Sequence, residues 1–326
     1  MMTPAQKLHF MLHSGKNSKW KYYLASYCRT AVPACFLHSR LPHLLEKAAR
    51  RPDYDYMLAR RDYYNRLSED TPLGPDCPSI AEIERGRQKV YWFDTMRYAR
   101  YFAPDLRLRL LPGDVVEAAP YPAITKTRPV DGDNANSVLL KLNHVRHFIF
   151  VDDKQPFATK ADTALFRGRL ANKDTRLRFL EMYYGHPMVD AGDVGRRNDA
   201  HPEWLRPKLT LAEQMRHKFI LTLEGNDIAS NLKWVMSSNS IAIMPRPTTE
   251  SWFMEGSLIP GKHYIEIAPD LSDLPEKLSH YLSHPDECEK ILSNAHAYID
   301  QFRDTTRESL ISLLVLEKYF RATGQM

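Results

Sequence analysis

The sequence has few cysteines and no long apolar run, and both shortages narrow the possible classes of protein. Its four cysteines are scattered over 326 residues without a CxxC pair or metal-ligand spacing, so we expect reduced thiols in a reducing compartment. The longest uncharged apolar runs, such as Ile311–Leu316, are far shorter than the roughly 20 residues that span a bilayer. The first residues also contain no apolar stretch long enough for a secretory signal. We therefore expect a soluble, cytoplasmic protein with at most peripheral membrane contact.

Internal repeats, low-complexity segments and recognised nucleic-acid-binding motifs are also missing. The hydrophobic share of 43% and the charged share of 26% suit two domains of ordinary size. The net charge is +5, and most of the excess lies within the first 61 residues. Lys19–His38 mixes these cations with aromatic residues, as helices at an anionic bilayer surface do. The same pattern also fits a solvated basic face, or a helix that packs its aromatic residues inside its own domain.

The first half of the chain is expected to be mostly helical, followed by short strands. Residues 3–70 read as helices that break at Pro33, Pro42 and Pro52. The elements expected after them are a loop at Thr71–Ser79, a helix at Ile80–Phe102, a strand at Leu106–Leu111, an extended connector at Val115–Asn136, a further element at Ser137–His144 and a strand at Arg146–Val151.

The stretch Lys218–Ala268 alternates strand, glycine turn, helix, strand, loop and strand, which predicts a parallel sheet with crossover helices. Such sheets bind ligands at the carboxyl ends of their strands, so we expect a site at Glu224–Asp227 and in the loop Pro245–Pro260. The strands expected in this half are Ala164–Arg167, Pro187–Asp190, Phe219–Leu223, Ile241–Met244 and Tyr264–Ile267. The expected helices are Lys173–Tyr184, Leu211–His217 with a Thr210–Glu213 capping box, one around 228–236, Leu271–Leu282, Pro285–Phe302 and Thr305–Arg321, with Ser272 and Thr305 as caps.

Several motifs in this half resemble those of glycosyltransferase family 90, which includes lipopolysaccharide A-type transferases, protein O-glucosyltransferases and capsule xylosyltransferases. The matching motifs are Leu223-Glu-Gly225, Ala229-Ser-Asn-Leu-Lys-Trp234, Ser238-Asn-Ser240, Trp252-Phe-Met-Glu255 and Leu258-x-Pro-x-x-His-Tyr264. The similarity is densest over Arg146–Phe302, and the order and spacing of the motifs together make it specific.

The resemblance implies an α/β fold of the GT-B type, with two Rossmann-like domains facing a cleft, a helical N-terminal region and C-terminal helices. Residues 1–157 would form the acceptor-side domain and residues 158–302 the donor domain, and a helix within 303–326 would cross back. The implied reaction is inverting, metal-independent transfer of a hexose, or else a pentose, from a UDP-sugar to a hydroxyl of a lipopolysaccharide or lipooligosaccharide core. No cofactor beyond the donor substrate and no nucleic-acid partner is expected, and the place of action would be the cytoplasmic face of the inner membrane.

Metal-free transferases of this type meet the departing diphosphate with helix N-termini, Arg or Lys. Eukaryotic relatives carry arginines where this chain has Glu224 and Asn231, so Arg167 becomes the first choice of diphosphate ligand. Asp227 is expected to be the N-cap of the next helix. Trp252 and Phe253 would hold the base, or would be core anchors, whereas Glu255 could accept bonds from both ribose hydroxyls. The expected donor-binding residues are Arg167, Gly168, Glu224, Gly225, Asn226, Asp227, Ser230, Asn231, Lys233, Arg246, Trp252, Phe253 and Glu255.

Asp114 is the expected catalytic base, because O-glucosyltransferase relatives carry an Asp-Tyr-Pro after an equivalent strand and use that aspartate as the base. Only the aspartate is retained here, and Asp131, Asp133 and the pair Asp152-Asp153 are competitors.

Two other functions stay open. Val151-Asp152-Asp153 follows an apolar strand and resembles the DxD motif of metal-dependent GT-A transferases, whereas Asp131-Gly-Asp133 does not follow one. The basic, aromatic N-terminal region would also suit a non-catalytic saccharide- or polyanion-binding protein, whose binding would be salt-sensitive.

Overall fold

A computed structural model describes residues 3–170 and 174–326. Within these ranges the helices are α1 (Pro4–His13), α2 (Lys19–Ala31), α3 (Ala34–Ala49), α4 (Tyr54–Tyr64), α5 (Lys89–Ala99), α6 (His144–His147), α7 (Asp174–Tyr183), α8 (Leu211–Gln214), α9 (Leu232–Met236), α10 (Leu274–Ser283), α11 (Pro285–Asp300) and α12 (Thr305–Ala322). The strands are β1 (Ala123–Thr125), β2 (Thr127–Pro129), β3 (Ser137–Leu139), β4 (Ala161–Gly168), β5 (Val189–Asp193), β6 (His217–Leu221), β7 (Ile241–Met244), β8 (Thr249–Ser251) and β9 (Ile265–Glu266).

The chain divides into two compact units, each built from separate segments. The first unit consists of the described residues of Met1–Asn17 together with Arg146–Pro247 and Ser257–Gln301. The second consists of Ser18–Val145, Thr248–Gly256 and Phe302–Met326. The functional division expected near residue 157, and the GT-B arrangement, stay predictions.

The first unit contains a five-stranded parallel sheet with the order β5-β4-β6-β7-β9. Residues 164–166, 219–221 and 241–244 are buried without interruption, as in strands that are covered on both faces. These buried runs confirm the parallel α/β alternation predicted from Lys218–Ala268. The sheet also places the carboxyl ends of all five strands at one edge.

The second unit is mainly helical, and α12 packs against α3, α4 and α5. Its strands form two pairs rather than one continuous sheet. β1 pairs with β3 in parallel, and β2 pairs with β8 in antiparallel orientation.

Four predictions about the first half of the chain were wrong. The helix expected at Ile80–Phe102 is interrupted, because residues 83–88 between a short turn at Ile80–Glu82 and α5 are not helical. Pro42 lies inside α3 rather than breaking it; its exposed position lets water reach the carbonyl group that proline leaves without an amide partner. Leu106–Leu111 forms only isolated bridges at Arg107 and Leu110, because the facing segments contain prolines without N–H donors. Arg146–Val151 is not a strand: α6 takes its first residues, and the Val151 amide donates to the Ser237 hydroxyl instead of to a strand.

Helix starts in the second half agree only in part with the sequence. The Thr210–Glu213 capping box is confirmed, although its helix ends at Gln214. Asp273 and Asp304, rather than Ser272 and Thr305, occupy the N-cap positions of α10 and α12. The Asp304 carboxylate accepts from two backbone amides, those of residues 306 and 307. Lys173, the expected first residue of α7, lies outside the described residues.

No helix within the described ranges is both long enough and apolar enough to cross a membrane.

Candidate functional site

The carboxyl edge of the parallel sheet in the first unit brings together most of the expected donor-binding residues. Arg167 and Gly168 end β4, the turn Glu224–Asp227 follows β6, and Arg246 follows β7. β4, β6 and β7 are consecutive neighbours in the sheet and run parallel. These residues therefore share the edge where ligands of open α/β sheets bind.

A residue that the sequence analysis did not single out, Arg176 in α7, joins two of these strand ends. Its guanidinium donates to the carbonyl of Arg169 after β4 and to the carbonyl of Leu223 after β6, at 3.0 Å each. A Cβ atom added at Gly225 would lie 3.0 Å from Nη2 of Arg176. The glycine thus leaves room for this guanidinium, which is fixed beside the turn.

The charge of Arg176 has no carboxylate partner within the described parts of the chain. Burial lowers the pKa of Arg176, and the charge of Arg146 lowers it further. Its Nε is buried and makes no hydrogen bond to any described residue. A half-buried cation beside a second cation is relieved by an anion, so this position suits a phosphate group. The sequence pattern that could have indicated this role is an arginine in the first turn of α7, the helix that follows Gly168 at the end of β4.

Arg167, the expected first choice, has a different environment. Its guanidinium forms a bidentate pair with Asp190 of β5, with Nη2 2.7 Å and 2.8 Å from the two carboxylate oxygens. Its side chain is 7% exposed. The charge of Arg167 is therefore balanced within the sheet, whereas that of Arg176 is not. Contact between Arg167 and a diphosphate stays a prediction.

The turn after β6 is longer than expected. Asp227 was predicted to be the N-cap of the next helix, but α9 begins at Leu232 and Asn231 occupies the N-cap position. The Asn231 side chain donates to the carbonyl of Leu221 at 3.0 Å, which ties it to the end of β6 and delays the helix start. Lys233, also expected to meet the donor, is completely buried.

Arg246 is exposed at the end of β7, beside the end of β9. Burial and the Glu266 carboxylate raise the pKa of Tyr264, and the charge of nearby Arg246 opposes this rise. Arg246 therefore adds a second cation to the same edge of the sheet. Ser230, in the segment before α9, is half-buried.

Trp252 and Phe253 lie in the second unit, in its core. The Trp252 ring stacks on Tyr64 with 3.9 Å between centroids, and its Nε1 donates to the Glu308 carboxylate at 2.6 Å. Phe253 packs against Phe302. Both side chains are completely buried. Of the two roles that the sequence left open, the structure shows core packing, and base contact stays a prediction.

Glu255 is also buried in the second unit. Its carboxylate accepts from the backbone amide of Ser251 at 2.6 Å and from the Ser251 hydroxyl. These bonds hold the turn after β8, and the expected contact of Glu255 with ribose stays a prediction.

Asp114, the expected base, lies in the loop before β1 in the second unit. Its carboxylate pairs with Lys126, whose side chain is 2% exposed, while Asp114 itself is 26% exposed. The same loop is anchored by the Thr127 hydroxyl, which donates to the carbonyl of Val115 at 2.8 Å. The ion pair orients the carboxylate, and the anchored loop fixes its backbone. Both properties suit a general base.

The two aspartates of the DxD-like pair have different surroundings. Asp152 is 80% exposed and pairs with Lys154, also exposed. Asp153 is buried, pairs with the buried Lys160 at 2.6 Å, and accepts from the backbone amide of Asn239 at 3.0 Å. Across residues 3–170 and 174–326, no group of three His, Cys, Asp or Glu side chains is arranged to hold a metal ion. Asp153 is therefore engaged in an ion pair with Lys160, and a metal site at Asp152 and Asp153 stays a hypothesis.

Comparison with known proteins shows which protein family this chain resembles. The model described as Glycosyl transferase family 90 matches residues 139–314. The O-glucosyltransferase LpsA of Dichelobacter nodosus is 35% identical over 317 residues, which cover 97% of this chain and 98% of that protein. The human Protein O-glucosyltransferase 3 is 27% identical over 165 residues, which cover 49% of this chain and 32% of the human protein. The region matched by the family model contains Arg167, Arg176 and the turn Glu224–Asp227.

Proposed function

Because this chain belongs to glycosyltransferase family 90, we propose that it transfers glucose from UDP-glucose to a hydroxyl of a lipopolysaccharide or lipooligosaccharide core. The names of its relatives support glucose and, for LpsA, this type of acceptor. Inversion at the sugar carbon and independence of metal ions are part of the proposal. The ion pairs that engage Asp152 and Asp153 support the second of these.

In the proposed reaction, the acceptor hydroxyl oxygen bonds to C1 of the donor sugar while the bond from C1 to the diphosphate oxygen breaks. The bonding electrons leave with UDP, and the hydroxyl proton passes to a carboxylate. Attack from the face opposite the departing UDP inverts the configuration at C1. Two groups must therefore be supplied by the protein: a cation for the developing diphosphate charge and a base for the acceptor.

The observation that carries the proposal is Arg176, a half-buried cation without a carboxylate partner in the described parts of the chain, at the carboxyl ends of two adjacent parallel strands. A diphosphate there would accept charge-assisted hydrogen bonds from the guanidinium, which are stronger than hydrogen bonds between neutral groups. Gly225 lets the ligand and the guanidinium come close to the backbone. Arg246 at the next strand end and Arg167 are the further cations that we assign to the donor.

Asp114 is the base in this proposal. Its pairing with Lys126 holds the carboxylate in place, and its partial exposure leaves the carboxylate accessible. The proton that it accepts comes from the acceptor, so the residue serves the acceptor and not the nucleotide.

Calorimetric titration of UDP into the full chain tests the donor site. Arg176→Ala should weaken UDP binding by about 1.5–3 kcal/mol, or roughly 10- to 150-fold, the range of a charge-assisted hydrogen bond. Arg178→Ala is the matched control, because Arg178 lies on the same helix and is exposed. Gly225→Ala crowds the guanidinium without removing it and should weaken UDP binding in the same direction. UDP affinity that is equal in wild type, Arg176→Ala and Gly225→Ala would refute the assignment.

We also propose that the second unit contacts an anionic membrane surface through α2, which would bring the enzyme to its lipid-linked acceptor. Trp20, Leu24 and Tyr27 follow helical spacing and are 66%, 58% and 43% exposed. Lys19 and Lys21 flank this stripe, and residues 3–45 contain no aspartate or glutamate. An exposed aromatic stripe flanked by cations matches an anionic bilayer interface.

Co-sedimentation with vesicles tests this contact. The wild-type chain should bind vesicles containing phosphatidylglycerol and should not bind vesicles of phosphatidylcholine alone. Trp20→Ser combined with Leu24→Ser should release it, and equal binding to both kinds of vesicle would contradict the charge argument.

A further inference from the structure

A second cationic feature of the first unit lies beside the proposed donor-phosphate site, which is the site at Arg176 and Gly225. The proposed donor contacts do not involve this second feature. A cavity of about 550 Å³ opens at the ends of β4 and β5. Five cationic side chains line it: Lys7, Arg169, Arg196, Arg206 and Lys208. Phe10 of α1 contributes an aromatic ring to the same wall, together with apolar contacts from the strand-end segments.

The walls of this cavity are held by backbone hydrogen bonds. The amide of Arg206 donates to the carbonyl of Asp193 at 2.9 Å, and the amide of Val194 donates to the carbonyl of Gly168 at 2.9 Å. α1 is tied to the same unit where the amide of Leu211 donates to the carbonyl of Ser14. The cationic side chains therefore project from backbone that is fixed around the cavity.

The positive charge of the cavity is not balanced within the described part of the chain. None of its five cations has a carboxylate within 4.0 Å there. Arg206 donates instead to the carbonyls of Glu203 and Leu205. Asp193, which ends β5 next to the lining residue Val194, is buried and accepts from the amide of Gly195 at 2.7 Å. Five like charges around one cavity repel each other unless an anion enters.

We propose that this cavity binds an anionic saccharide, namely a sugar of the acceptor that carries phosphate or carboxylate groups. The cations would meet the anionic groups, and the Phe10 ring would offer an apolar face to the C–H groups of the sugar. The volume lies within the range of small-ligand sites, about 300–1,000 Å³, and accommodates one or two sugar rings. The assignment of this sugar to the acceptor rests on the proposed function. The binding of an anionic sugar to the cavity can be measured independently of that function.

The position of Arg169 explains why the cavity is assigned to the acceptor rather than to the donor. Its carbonyl accepts from Arg176 on the β6 side of β4, whereas its side chain lines the cavity toward β5. The donor-phosphate site and the cavity are thus neighbours on opposite sides of the end of β4. We therefore expect that UDP and the anionic sugar bind at the same time.

Calorimetric titration of the full chain with glucose 6-phosphate, glucuronate, glucose and inorganic phosphate tests the inference, with and without saturating UDP. Glucose 6-phosphate and glucuronate should bind in the presence of UDP, glucose should not, and the affinity should fall as salt screens the charges. Arg196→Gln combined with Lys208→Gln should weaken glucose 6-phosphate binding at least tenfold and leave UDP affinity within twofold. Arg197→Gln is the matched control, because Arg197 is the next residue but pairs with Asp199 outside the cavity lining.

Two results would overturn the inference. If UDP displaces glucose 6-phosphate, the cavity belongs to the donor site. If inorganic phosphate binds as tightly as glucose 6-phosphate and Phe10→Ala weakens neither, the cavity does not recognise a sugar. Failure of the proposed function looks different: UDP would not bind, while glucose 6-phosphate binding would persist and would still depend on Arg196 and Lys208.

Discussion

Replacing Trp252 by phenylalanine separates a packing role from a nucleotide-binding role for this residue. The indole N–H donates to Glu308, which is 4% exposed and also pairs with Arg60 and Lys141. Phenylalanine keeps an aromatic ring in the core but removes this donor. Because Glu308 retains its two cationic partners, the loss is that of one hydrogen bond to a charged group, about 1.5–3 kcal/mol.

The smaller ring adds a second loss. The indole stacks on Tyr64 with 12° between the ring planes, and part of this contact disappears, which costs about 0.5–1.5 kcal/mol. The free energy of unfolding should therefore fall by about 2–4.5 kcal/mol, a large part of the roughly 5–15 kcal/mol typical of a folded protein.

Urea unfolding followed by far-ultraviolet circular dichroism measures this loss, and UDP titration of the folded variant should give an unchanged affinity. Trp20→Phe is the control, because Trp20 is 66% exposed and its replacement should change the free energy of unfolding by less than about 0.5 kcal/mol. A Trp252→Phe variant of wild-type stability whose UDP affinity falls tenfold would refute the packing argument and assign the indole to the nucleotide.

Three further predictions concern catalysis and pH. Asp114→Asn should lower the transfer rate by about 10²–10⁴-fold with UDP affinity unchanged, and normal turnover in this variant, measured by UDP release with acceptor present, would mean that another residue is the base. Transfer activity should persist in excess EDTA, and activity that is lost and then restored by Mn²⁺ would support the metal-dependent alternative. Burial lowers the pKa of His217 from its ordinary value of 6.5, so the unfolded chain binds this proton first and the free energy of unfolding should fall as pH drops below 6.5. His217→Gln should reduce that slope in urea unfolding curves recorded between pH 7 and 5, and an unchanged slope would exclude this histidine as its cause.

The parallel sheet of the first unit could be predicted because several of its strands contain short, continuous apolar runs, such as Phe219–Leu221 and Ile241–Met244. Ile241–Met244 has the predicted bounds, since Ser240 and Pro245 punctuate it on both sides. Leu106–Leu111 alternates as a strand does, yet it forms only isolated bridges. The missing information was the identity of its neighbours, which the local pattern does not contain.

The candidate site was predictable as a region and not as a set of contacts. Strand ends can be read from the sequence, so the turn Glu224–Asp227 was found. Arg167 and Arg176 are both arginines near the same strand end, and only the position of Asp190 distinguishes the neutralised one from the uncompensated one. Likewise, the sequence around Trp252 does not show that Tyr64 and Glu308, which are distant in sequence, contact its indole ring.

The discontinuous second unit has a consequence for the order in which the protein folds during synthesis. Its core is completed by residues 302–326, and the Asn65 side chain donates to the carbonyl of Val315, 250 residues further on. Closing so long a loop is entropically costly and slow. On the ribosome, α4 emerges well before α12. Met57 and Tyr64 are completely buried in the folded unit, but they stay exposed until α12 has been synthesised and packs against α4. A nascent chain that stalls before residue 302 would present this apolar surface to chaperones and proteases, so that quality control can distinguish truncated products from finished ones.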